Sequence, residues 1–148
     1  MIVTMIRDFL LRDLQKLRNE MELYKREAVI WHTEKQIANS AGNLCLHLAG
    51  NLNTYVGSVL GNTGYVRNRQ LEFSDKNVPL QQLLKMLDDT MLMVQVTLSA
   101  VTDNILDQEY PLLVWENKTS TGYLLMHLAT HLNYHLGQVN YHRRLLDA

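Results

Sequence analysis

The chain of 148 residues carries 14 Lys and Arg against 15 Asp and Glu, a formal net charge of −1, and 47% of its residues are hydrophobic. That length supports one domain, residues 1–148, with a real hydrophobic core, and is too short to expect two. The near-zero charge argues against a nucleic-acid binder built on a broad basic face, no polybasic patch marks a membrane surface, and no apolar run is long enough to cross a bilayer.

The segment Met1-Ile2-Val3-Thr4-Met5-Ile6-Arg7-Asp8 meets charge early and lacks the basic start, long apolar stretch and small-residue cleavage site of a signal peptide. A single cysteine, Cys45, excludes an internal disulfide, so a reducing cytoplasm is the expected location. Apolar residues then recur at Ile6, Phe9, Leu10, Leu14, Leu17, Met21 and Tyr24, in steps that make one helical stripe. Arg7, Asp8, Arg12, Asp13, Lys16 and Glu20 fall on the opposite side. From Lys25 to Asn39 no period is clear.

A second helix runs to about Leu60, with Gly61 placed to take the left-handed position beyond its end. Two starts fit it: the capping box Thr33-Glu34-Lys35-Gln36, or Ser40 as the cap of a shorter helix. In either case Leu44, His47, Leu48, Asn51 and Tyr55 share a face, while Cys45 is turned roughly 200° from His47 and should not reach the same place. Gly61 to Asn77 reads as a connection, long enough that part of it is expected to be functional or locally ordered. Pro79 suits the first position of a third helix, whose apolar residues Leu84, Leu87, Met91, Val94, Leu98 and Val101 alternate steps of three and four. After Pro111 a last helix should start near Thr119 or Ser120 and continue to about Leu146. Four amphipathic segments and no convincing strand predict an all-α four-helix bundle.

Four of the six histidines, His127, His131, His135 and His142, lie in the last helix. His131 and His135, four residues apart, can direct their imidazoles at one point. Neutral imidazole is a good ligand for zinc, nickel, copper and iron. His47 lies on the inward stripe of another helix, where an unpaired imidazole would need an explanation. Spacing leaves open a hydrogen-bonded core histidine and a solvated pair as well as a metal site, and it does not exclude His127, for which an orienting or structural role is expected. His142, beside Arg143-Arg144 near the helix end, is expected at the surface.

The segment His131-Leu132-Asn133-Tyr134-His135-Leu136-Gly137-Gln138, continuing to Arg143-Arg144, resembles the C-terminal signature of the DinB-like (DNA-damage-inducible) proteins. Asn39 to Leu44 followed by His47 is similar to the stretch carrying that family's first ligand. Arg67-Asn68-Arg69 with Glu72-Phe73 is similar to an Arg-x-Arg-x-x-Glu-Phe element of one branch. The resemblance spans most of the chain. It implies a bundle of up-down-down-up helix order, a divalent metal, zinc or nickel, on His47, His131 and His135, and a homodimer.

Three protein ligands leave a coordination position for water or substrate. The resemblance favours a metal-dependent thiol S-transferase that activates bacillithiol, mycothiol or glutathione for attack on an electrophile. A non-catalytic metal-binding stress or interaction module, and a metal-dependent hydrolase, are the alternatives. Helix phase places Asn51 and Gln138 where they can orient ligands or substrate, with Tyr55 and Tyr134 flanking the opening. Arg67 and Arg69 are the candidates for holding a substrate carboxylate, a role that suits the guanidinium fork.

Overall fold

The computed structural model describes residues 1–148 and is all-helical. Its elements are α1 (Ile2–Glu22), α2 (Ala41–Leu52), a short α3 (Arg69–Ser74), α4 (Leu80–Ser99) and α5 (Thr121–Leu146). The nearest thing to a strand is one isolated bridge, Glu109 with Ser120, which closes the loop ahead of α5. No helix is long and apolar enough to cross a membrane.

In α1 the stripe Ile6, Leu10, Leu14, Leu17 and Met21 is buried as its period requires, and Val3 extends it toward an earlier start than expected. Two positions reverse the expectation. Phe9 is about half exposed, with the Arg12 guanidinium over its ring. Asp13 is buried, because Arg12 Nε and Asn133 Nδ2 both donate to its carboxylate and meet the cost of removing it from water.

α2 is the central helix, buried along its length apart from Leu46. Ser40 is its cap, the hydroxyl oxygen accepting from the Asn43 N–H. The alternative start at Thr33 is instead a turn, with Lys35 at a φ of 55°. Beyond Leu52 the helix widens into a π turn, Asn53–Ser58, before a last α turn, Val59–Gly61. The left-handed residue that ends it is Asn62, at φ 49°, and not Gly61. Gly61 is helical, and its missing side chain lets the turn lie close against α4, where a Cβ would stand 2.6 Å from the Thr97 hydroxyl. Pro79 caps α4 from just outside it, and Leu83, Leu84, Leu87, Val94 and Leu98 are its buried stripe. Met91 and Val101 are only partly buried.

Cross-helix pairs give the directions. α1 and α5 run the same way, since Asp13 meets Asn133 and Glu20 meets Asn140 and Arg143. α4 opposes α1, with Arg18 on Asp88 and Arg7 on Ser99. α2 follows α4, with Asn53 on Thr90 and Gly61 beside Thr97. α2 therefore opposes α5, and His47 faces His131 and His135 across that antiparallel seam.

His142 is a correction to the surface reading. It is buried beneath the segment between α1 and α2, its Nε2–H donating to the His32 carbonyl and its Nδ1 accepting from the Tyr24 hydroxyl, each at 2.7 Å. Burial lowers its pKa, so the neutral form that this arrangement needs is the favoured one.

Candidate metal centre

His47 reaches the seam from the middle of α2, and His131 and His135 from successive turns of α5. One ligand nitrogen from each of the three lies within 4.8 Å of the others. The ring centroids are 5.1 Å apart for His47 and His131, 5.5 Å for His47 and His135, and 4.6 Å for His131 and His135. Nε2 of His47 stands 3.3 Å from Nε2 of His131. Two nitrogens bound to one tetrahedral zinc at about 2.0–2.1 Å would be about 3.3–3.4 Å apart. The spacing therefore fits a shared ion.

The outer nitrogens of two rings are held. Glu72 Oε1 lies 3.0 Å from His47 Nδ1, and a carboxylate can only accept, so Nδ1 carries the proton and Nε2 keeps its lone pair. Gln138 Oε1 lies 2.7 Å from His135 Nδ1 and does the same for that ring. Nδ1 of His131 is buried and has no partner. Its pKa is pushed down to about 4, chiefly by burial and then by the charges of His135 and His47. Burial also lowers the pKa of His47, against the opposing pull of Glu72. Burial thus favours the neutral form of His47 and His131, the form that ligates.

Glu72 comes from α3, inside the long connection, and sequence reasoning gave it no role. Arg67 Nε and Nη2 donate to its two oxygens at 2.8 and 2.9 Å, so the carboxylate bridges a guanidinium and the His47 ring. The side chain of Asn43, at the first turn of α2, fixes α3 from the other end by donating to the carbonyls of Glu72 and Asp75. Glycine at position 50 makes room, since a Cβ there would lie 1.9 Å from Glu72 Oε2. Phe73, the next residue, packs its ring 4.9 Å from that of His47. The Arg-x-Arg-x-x-Glu-Phe spacing was the signal available for this arrangement, together with the length of the connection.

The structure brings most of the other candidates to the same place. Asn51, Tyr55, Arg67, Arg69 and His127 border a cavity of about 170 Å³ that also exposes His47 and His131. Tyr55 comes from the π turn, its carbonyl accepting from the Tyr110 hydroxyl, with the Arg67 guanidinium 5.8 Å from its ring. His127 stacks on His131 at 5.8 Å and meets the Trp115 ring nearly at right angles at 4.8 Å, standing outside the three-histidine group. Tyr134 is exposed and touches the site only through the edge of its ring against His135. Cys45 is buried elsewhere in the core, where burial pushes its thiol up to about 12.

A group of three imidazoles, one buried and two partly buried, with no thiolate or carboxylate among the donors, can hold a divalent ion and leave part of its coordination sphere to another ligand. No curated protein matches the chain. The family described as Protein of unknown function (DUF1572) matches residues 4–148. Across nearly its whole length, then, the chain belongs to DUF1572, a family of unknown function.

Proposed function

We propose that this protein is a DinB-like, metal-dependent thiol S-transferase, holding zinc or nickel on His47, His131 and His135. The convergence of three imidazoles beside a small polar cavity carries this reading. The parallel α1 and α5 flanking the parallel α2 and α4 support the up-down-down-up order of the DinB-like bundles. When bound, the ion would lower the pKa of a thiol and hold it as thiolate at the open coordination position. Transfer would then release the thiol proton to solvent, form a sulfur–carbon bond to the electrophile, and expel the leaving group with its bonding pair.

The chain's own residues prepare that position. Glu72 and Gln138 keep the Nε2 lone pairs of His47 and His135 directed inward. Val114 and His127 line the cavity beside His131, and Trp115 packs against His127. A homodimer in the cytoplasm completes the proposal, and Ile2, Met5 and Phe9 leave an apolar face on α1 that a second copy can cover. Light scattering showing only monomer at high concentration removes the dimer.

The deciding experiment loads purified protein with zinc or nickel and offers bacillithiol, mycothiol and glutathione with several electrophiles. Conjugation above background is expected, and its absence from a His131→Ala variant ties it to the site. Metal-loaded protein that conjugates none of them overturns the reading.

A further inference from the structure

The two arginines beside the metal centre are not equivalent. Arg67 is committed to its own chain, with Nε and Nη2 both donating to Glu72. Arg69 borders the same cavity, is exposed to solvent, forms no ion pair, and holds its guanidinium 5.2 Å from the Phe73 ring. Phe73 is the residue that also packs on His47, so the guanidinium is tied by one ring to the ligand side of the cavity.

Asn51 borders the cavity as well. It is 8% exposed, and its side-chain carbonyl is buried without a hydrogen-bond partner. A buried amide left unpaired is uncommon, because the group has given up water for nothing. The amide can turn over and present its two N–H groups from the same position. Charge points the same way. Glu72 matches Arg67, so Arg69 and any divalent ion on the three imidazoles leave the cavity positive. An anion with planar, two-oxygen geometry fits both a guanidinium and a primary amide.

We propose that this cavity binds the carboxylate of a small ligand, with Arg69 as its ion-pair partner and the Asn51 amide as hydrogen-bond donor. The rest of the ligand reaches the open coordination position. This deepens the transferase reading and rests on its metal centre: the thiol, or the electrophile it attacks, is a carboxylic acid. The volume of about 170 Å³ admits a small molecule or the end of a larger one.

Calorimetric titration of the zinc-loaded protein with malonate tests this, with neutral malonamide as control and inorganic phosphate as competitor. Malonate is expected to bind and malonamide is not. Arg69→Gln should weaken malonate binding at least ten-fold with zinc content unchanged by elemental analysis. Arg69→Lys should recover part of the loss, and Asn51→Leu should weaken binding in the same direction. Undetectable malonate binding, an affinity unaltered by Arg69→Gln, or tighter binding of phosphate than malonate overturns the proposal. A titration of the cobalt-substituted protein with 2-mercaptoethanol keeps the two ideas apart. Malonate binding through Arg69 with no thiol-dependent spectral change leaves the carboxylate site standing and removes the thiol. A thiol-dependent change without malonate binding does the reverse.

Discussion

A neutral imidazole offers one lone pair, and the group that holds its other nitrogen decides which. At His47 that group is Glu72, oriented by two hydrogen bonds from Arg67. Glu72→Ala should therefore weaken metal binding by about 10- to 100-fold, the usual range for such outer partners, and Glu72→Gln by less because its carbonyl still accepts. Competition with a chromophoric chelator measures both, and equal affinities for the two variants and wild type would remove Glu72 from the site. The pH dependence has a defined sign. His131 has its pKa pushed down to about 4 and His47 is lowered too, so the folded state binds fewer protons there than the unfolded chain, whose histidines titrate near 6.5. Stability of the metal-free protein is complete above that value and falls as pH drops from about 6.5 toward about 4. Urea midpoints across this range check it, and a midpoint independent of pH contradicts the burial of these rings. The convergence of the histidine pair on α5 was legible because residues four apart lie about one helical turn apart. Glu72 was not, because its contact with His47 crosses a connection with no period to read. His142 misled for a related reason: its burial comes from Tyr24 and His32, far away in sequence.

Elements in this protein are ended and spaced by single residues with identifiable jobs. Ser40 and Ser120 each accept a backbone N–H at the start of α2 and α5, and sequence offered each as one of two candidate starts. Ser40→Ala should cost about 1 kcal/mol, seen as a lower urea midpoint with an unchanged slope. Gly50 does something sequence reasoning does not reach. Its missing side chain lets the Glu72 carboxylate lie against the α2 backbone, where a Cβ would meet it at 1.9 Å. Elsewhere in a helix, replacing glycine by alanine stabilises by up to about 1 kcal/mol. Here Gly50→Ala should instead lower metal affinity as Glu72→Ala does, because the carboxylate must leave His47. An affinity equal to wild type, measured with the same chelator, would show that α3 can shift without releasing the histidine. The π turn at Asn53–Ser58 is the other unforeseen element. Asn53 holds it to Ala49 and Thr90, and it carries Tyr55 to the rim of the cavity.

The whole molecule has one core of four long helices, and the leucine stripes that build it predicted the all-helical class without help from the site. What periodicity could not supply was which helices lie side by side, since a stripe records that a face is buried and not against what. The three histidines are informative at this scale, because they come from the two helices, α2 and α5, that meet along one antiparallel seam. An ion held there crosslinks segments 84 residues apart and binds only the folded chain. Metal should then stabilise the protein by linkage. At a free concentration 100 times the dissociation constant the gain is about 2.7 kcal/mol, and a domain of this size shifts its melting temperature by about 2–4 °C per kcal/mol. Zinc-loaded protein is expected to melt about 5–10 °C above the same protein treated with a chelator. His135→Ala should abolish that difference while leaving the metal-free melting temperature little changed, since His135 is only partly buried and its ring is not part of the leucine core. A chelator-sensitive shift that survives in His135→Ala would place the stabilising ion elsewhere on the molecule.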